Sequence, residues 1–268
     1  MFSIFLTSSY SFGTGLMLSR IVVSLAFMLG MSFSAVAEEK VVRLASLEWA
    51  PYTSKTLKNQ GATTEVVRRA FAAMGYELQV IFYPWERAVK MGSDGSYGLD
   101  GFFPEYYRED VNEGIVFSDP VGYGPLGLAQ RVDMVVDWKK LEDLTPYTIG
   151  TVQGYANTIE FDELVIEQTL NVSEAMTDVT NLMKLVYGRV DLSVIDQHVF
   201  AYLLATNPEL NAVQDQLLFH QTLLEIKSLY VCFNEGSADL AEILNQGLAK
   251  IDIRATQDEI FSNYYPNQ

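Results

Sequence analysis

Two aspartates, Asp191 and Asp196, bracket an apolar run in "GRVDLSVIDQHVF", residues 188–200. A carboxylate taken out of water costs roughly several kcal/mol unless something pairs with it. An acid at the end of a core strand therefore needs a partner. Two suit Asp196. One is the set of free N–H groups opening the helix "QHVFAYLL", which Asp caps well. The other is a positive group on a bound molecule. Both can hold, because a cap at a strand end also points into the crevice where α/β sheets bind ligands.

Aromatic and charged residues cluster after other β-rich runs. "LEWAPYT" brings Trp49, Pro51 and Tyr52 to the end of a first strand, and "YPWERA" brings Trp85 to the end of a second. "GFFPEYYRED" places Phe102, Phe103, Tyr106, Tyr107 and Arg108 after a third. Together these segments can share one cleft. Glu48, Glu86 and Glu105 lie in the same segments, and any of them would need a tuned pKa to act as a general acid.

Metal and cofactor signals are thin. His198 and His220 are the two histidines, and no HExxH or Cys/His set accompanies them, so neither a metal site nor a cofactor is implied. "GYGPLG", Gly122 to Gly127, matches GxGxxG formally. Pro125 interrupts it, however, and "LGLAQ" after it reads as strand, whereas a dinucleotide loop opens a helix. The triplet Asn171-Val-Ser173 is too common by chance to assign glycosylation.

The elements that must position these residues alternate between β-rich runs and helical patterns, which predicts an α/β protein with largely parallel sheets. "VVRLAS" and "ELQVIF" are strands around a helix "TTEVVRRAFAAMGY", capped by Thr63 or Thr64 and stopped at Gly75. "PWERAVKM" is a short helix opened by Pro84. A second set runs from about residue 148. It comprises the strand "YTIGTVQG", the helix "NTIEFDELVIEQ", a helix capped by Asp178, the strand "DLSVID", the helix "QHVFAYLLATN" and a late strand "SLYVCF". A helix capped by Ser237 and an amphipathic piece "TQDEIFSNYY" close the chain.

At the start, Arg20 is the single charged residue before Glu38. It is followed by "IVVSLAFMLGMSF" and then Ala35-Val36-Ala37. A positive start, an apolar core short of the ~20 residues of a membrane span, and a small-x-small end predict a Sec-type signal peptide over residues 1–37. Translation starts at Met1 or at Met17. The mature chain then begins near Glu38 in the periplasm. The formal net charge of −16 becomes −17 once Arg20 is lost. Such an acidic surface excludes nucleic acid and anionic membrane as partners. Cys232, the one cysteine, lies in the apolar "LYVCF" and reads as buried and inert.

Four segments carry a family resemblance: "PYT" near the start, "VFSDPV" at 116–121, "IGTVQGYANT" at 149–158 and "GRVDLSVIDQHVFAYL" at 188–203. Taken in order, they are similar to the extracellular solute-binding proteins of family 3. The resemblance implies a two-lobe type II periplasmic binding fold, with lobe 1 over 38–127 plus 229–268 and lobe 2 over 128–228. It implies a non-enzymatic monomer that captures an amino acid or derivative between the lobes and delivers it to an ABC-type transporter permease. Asp196 then receives the ligand's α-ammonium, Arg108 clamps its carboxylate with a planar fork, and Asp191 is structural. Trp49, Tyr52, Trp85, Phe103, Gly154 and Tyr155 complete the ligand site.

The departures from the family pattern are Phe103, Tyr155 and Ala156, which stand where such proteins carry hydroxyls, so the pocket should be more aromatic and less polar. Two other readings remain open: an exported dehydratase of the same fold, acting on prephenate-like acids, and a ligand-sensing module.

Overall fold

The computed structural model describes residues 40–107 and 114–262, together with residues 6, 7 and 9. The leader assigned to 1–37 and Arg108 therefore lie outside the described residues, save those three positions.

From Lys40 the chain builds a curled mixed sheet. β1 (Lys40–Ser46) pairs in parallel with β2 (Tyr76–Phe82) and with β3 (Gly101–Tyr106). Helix α1 (Ala62–Ala72) connects β1 to β2, and α2 (Trp85–Ser93) leads on toward β3. A second parallel set is formed by β6 (Thr148–Val152) with β7 (Asn171–Ala175) and β8 (Leu192–Asp196). Its helices are α3 (Ile159–Ile166), α4 (Asp178–Val186), α5 (Gln197–Thr206) and the short α6 (Pro208–Asn211).

Two long antiparallel strands join the sets. β5 (Gly122–Arg131) runs beside β9 (Leu217–Asn234), from Gly122 opposite Leu229 to Arg131 opposite Leu217. Beyond that seam, β9 pairs with β3 and with β4 (Ile115–Phe117), while β5 pairs with β8. The sheet order is thus β2-β1-β3-β9-β5-β8-β6-β7. α7 (Asp239–Leu248) and α8 (Ile253–Phe261) return to pack on α1. This is the two-lobe type II periplasmic binding fold.

The late strand is far longer than "SLYVCF". Its first half is only partly buried, so it lacks the apolar run that marks its second half. Three caps also differ from expectation. α1 is entered from Gly61, and Thr63 and Thr64 are buried in its first turn. Thr177, not Asp178, caps α4 by accepting from Thr180 N. Ser237 lies in the turn before α7 and donates instead to Asp100, at 3.0 Å. Cys232 is fully buried, and burial pushes its thiol pKa up.

Candidate functional site

β1 ends in a tight turn held by Trp49 N donating to Thr53 O (2.8 Å) and Thr53 Oγ1 donating to Leu47 O (2.9 Å). The turn stacks Trp49 on Tyr52, with centroids 4.5 Å apart and planes 22° apart. Trp49 also meets Tyr106 of β3 edge-on, at 6.2 Å and 80°. Pro84 opens α2 and sets Trp85 beside them. From the second set, the turn after β6 presents Gly154, Tyr155 and Ala156. Trp49, Trp85, Tyr106 and Tyr155, with Glu105 and Ala156, line a small cavity of about 30 Å³. A wider recess of about 420 Å³ shares Leu47, Trp85 and Tyr155 and adds Glu48, Lys55 and Asp178.

Three contacts tie the sets together around this cavity. Trp85 Nε1 donates to Gly154 O at 3.2 Å. Gly154 has φ +75°, a conformation glycine adopts without a Cβ clash. The Tyr52 hydroxyl donates to the Asp196 carboxylate at 3.0 Å from Oδ2 and 3.1 Å from Oδ1. Behind that pair, His198 stacks on Phe261 with centroids 4.5 Å apart. Gly124 on β5 lets the Tyr52–Asp196 pair form, because a Cβ there would run into both side chains.

Asp196 is 2% exposed. Its Oδ1 accepts from His198 N (2.8 Å) and Val199 N (3.1 Å), so it caps α5. Burial nevertheless lifts its pKa to about 7, because the hydrogen bonds to Val199, Tyr52 and His198 only partly offset desolvation and Asp178 repels it. The partly exposed Asp178 accepts from the Tyr155 hydroxyl at 3.4 Å, and desolvation raises it to about 6. Burial first, then the charges of Asp196 and Asp178, push the Tyr106 phenol well above its ordinary value. A cation stands against these acids: the buried Lys227 ammonium lies 5.2 Å from the centroid of the Tyr106 ring. Two donors in its wall, Trp49 Nε1 and the Tyr106 hydroxyl, are buried without a hydrogen-bond partner.

Of the residues expected at the site, Trp49, Trp85 and Tyr155 line the cavity. Tyr52, Phe103, Gly154 and Asp196 lie outside its lining, with Phe103 wholly buried. Asp191 accepts from Thr148 N at 2.8 Å, which ties the start of β8 to β6. The sequence reading missed Leu47, Pro104 and Leu229 in the wall and the nearby Asp178. Asp178 looked like a helix cap, and the apolar three carry no chemical signal. Among the described residues, no group of three or more His, Cys, Asp or Glu is placed to hold a metal ion. Nor is any described helix long and apolar enough to cross a membrane.

No family model matches the sequence, and neither does any curated protein. Solved structures do match the fold. The periplasmic VFT2 domain of Bordetella pertussis BvgS superposes with a TM-score of 0.68 at 19% identity, covering 84% of this chain and 93% of that one. An ancestral arginine-binding protein bound to arginine gives 0.67 at 17% identity, covering 85% and 99%. The GluR0 ligand-binding core from Nostoc punctiforme, in complex with L-glutamate, gives 0.65 at 16% identity, covering 84% and 100%. The class these similarities define is the ligand-binding fold of periplasmic binding proteins and of sensor domains built like them.

Proposed function

We propose that this chain is an exported solute-binding protein. It captures a small polar or zwitterionic solute, an amino acid or derivative, between its lobes and hands it to an ABC-type permease. The observation that carries this reading is the aromatic-walled cavity at the seam of two half-sheets, bridged by Trp85–Gly154 and Tyr52–Asp196. Such bridges hold in a closed arrangement only, so a ligand that also touches both sides would shift the balance toward closure. Strand pairing supports placing lobe 1 at 38–127 plus 229–268 and lobe 2 at 128–228, since β9 changes partners near Leu229. Arg108 and Asp196 are assigned to the solute's carboxylate and ammonium. The Asp196 charge acts in that case from just behind the cavity wall.

A thermal-shift panel of amino acids, methylated amines, organic acids and short peptides tests the reading, because a ligand for the folded state raises Tm by mass action. If no solute in the panel moves Tm, the proposal fails. The similarity to BvgS supports a second reading, a sensing module with a separate signalling partner. Uptake of the labelled solute in a deletion strain separates the two, since transport requires the protein and sensing does not. A dehydratase would instead consume the solute that stabilises it, which NMR of the mixture would detect.

A further inference from the structure

Lys227 is the one lysine or arginine among the described residues that is buried, at 5% exposed. Lysine almost never leaves water to that degree unless it is paired, because a buried charge is costly. Its ammonium has three N–H donors to place. One goes to Glu225 Oε2 at a long 3.4 Å, and the Glu225 side chain is itself 48% exposed. The Tyr106 ring, with its centroid 5.2 Å away, adds an attractive face and no acceptor oxygen. No other acceptor for Lys227 stands among the described residues.

Lys227 and Glu225 line a recess of about 580 Å³, a size typical of small-molecule pockets and far larger than the cavity beside Tyr106. Another wall is the start of α3, where Thr158 is 7% exposed and caps the helix by accepting from Phe161 N at 3.1 Å. That bond uses an oxygen lone pair, and the hydroxyl proton goes to no acceptor among the described residues. The N-terminus of a helix adds partial positive charge. Two buried side chains with donors to give, Lys227 from β9 and Thr158 from α3, thus border one space.

The charge of the lining points the same way. The exposed Lys139 and Lys140 join Lys227, against the exposed Glu160 and Glu225. Over the whole chain, 34 Asp and Glu outnumber 18 Lys and Arg, so the recess is a local reversal of the balance. Buried donors are almost always hydrogen-bonded, and an ionised acceptor makes the strongest bonds to an ammonium.

We propose that this recess binds the carboxylate of a small organic acid with net negative charge, with Lys227 as its anchor and Thr158 as a further donor. The carboxylate supplies the acceptors that Glu225 alone does not, and neutralises a buried charge. A zwitterion as small as glycine sets its own ammonium beside the carboxylate, where Lys227 repels it. This rests on the solute-binding reading and specifies its class, an acidic solute among the polar ones.

The test is calorimetric titration of the intact protein with glutamate, succinate, glycine and arginine. Glutamate or succinate is expected to bind at least about tenfold more tightly than glycine or arginine, the scale of one charge-assisted hydrogen bond. Lys227→Met keeps an apolar stem and removes the ammonium. It should weaken the acid by about tenfold or more while melting no lower than the parent. Thr158→Asp retains the cap, removes the hydroxyl and sets a second carboxylate in the recess, so it should weaken the acid at least severalfold. If a solute without net negative charge binds as tightly as the best acid in the wider panel, this inference fails and the solute-binding reading stands. If no solute in that panel binds, both fail. If an acid binds but folded Lys227→Met binds it unchanged, the anchor is overturned. Should Lys227→Met prove unfolded, Thr158→Asp decides alone, and unchanged affinity there overturns the assignment.

Discussion

At the scale of single residues, Asp196 carries the most chemistry. It caps α5, pairs with Tyr52 and is buried with its pKa lifted to about 7. In the unfolded chain an aspartate titrates near 3.9. The folded protein therefore binds this proton more tightly than the unfolded chain does. Its contribution to stability is fully present below about pH 4 and is lost as pH rises through about 7. Asp178, raised to about 6, acts in the same direction. Asn caps a helix about as well as Asp, and Tyr52 can reverse its hydroxyl to face an amide. Asp196→Asn should then match the parent near pH 4 and exceed it near pH 8, by up to about 4 kcal/mol at about 1.4 kcal/mol per displaced pKa unit. Chemical denaturation of both proteins across that range decides it. A variant less stable than the parent at pH 8 would show that the ionised carboxylate is a net asset to the fold.

Among the elements, the crossing strands β5 and β9 join the half-sheets, and Gly124 of β5 packs directly against the Tyr52–Asp196 pair. A methyl group there meets Asp196 and Tyr52 together, so Gly124→Ala should cost about 1–3 kcal/mol by overpacking. Asp196→Ser retains a cap, clears the Asp196 half of the space and frees the Tyr52 hydroxyl to move aside. In that background the cost of Gly124→Ala should fall by half or more, and strictly additive melting curves would place the clash on Tyr52 alone. Much of this architecture was legible in the sequence. The run "DLSVID" followed by "QHVFAYLLATN" reads as a strand, a capping acid and a helix, and β8 and α5 follow it to within one residue at the strand's start and the helix's end. What escaped reading was set by distant contacts. The half-exposed start of β9 becomes a strand only because β5 lies beside it. Pro104 and Glu105 reach the cavity because the pairing of β3 with β9 shifts register between Phe102 and Glu105. That shift leaves Phe103 buried outside the cavity lining, although the family resemblance implies a place for it at the site. Thr177 caps α4 in place of Asp178, which leaves that acid beside Tyr155. No local pattern marks the difference between neighbouring capping residues.

For the whole molecule, the decisive quantity is a net charge of −16 spread over 268 residues. A field of that sign draws cations toward the surface, and an acidic cleft concentrates the effect where the lines converge. Added salt screens it, with a Debye length of about 30 Å at 0.01 M and about 8 Å at 0.15 M. The field therefore distinguishes the candidate solutes by their own net charge. Arginine carries a net positive charge and should be steered, whereas glycine is neutral overall and should feel little of it. Stopped-flow tryptophan fluorescence can follow the binding step, since Trp49 and Trp85 line the cavity. Between 0.01 M and 0.3 M salt, the association rate of a binding cation should fall severalfold, with a much smaller change in its dissociation rate. A binding zwitterion should change little in either. If a cation associates at the same rate across that range, the acidic surface does not steer solutes, and its charge bears on solubility alone.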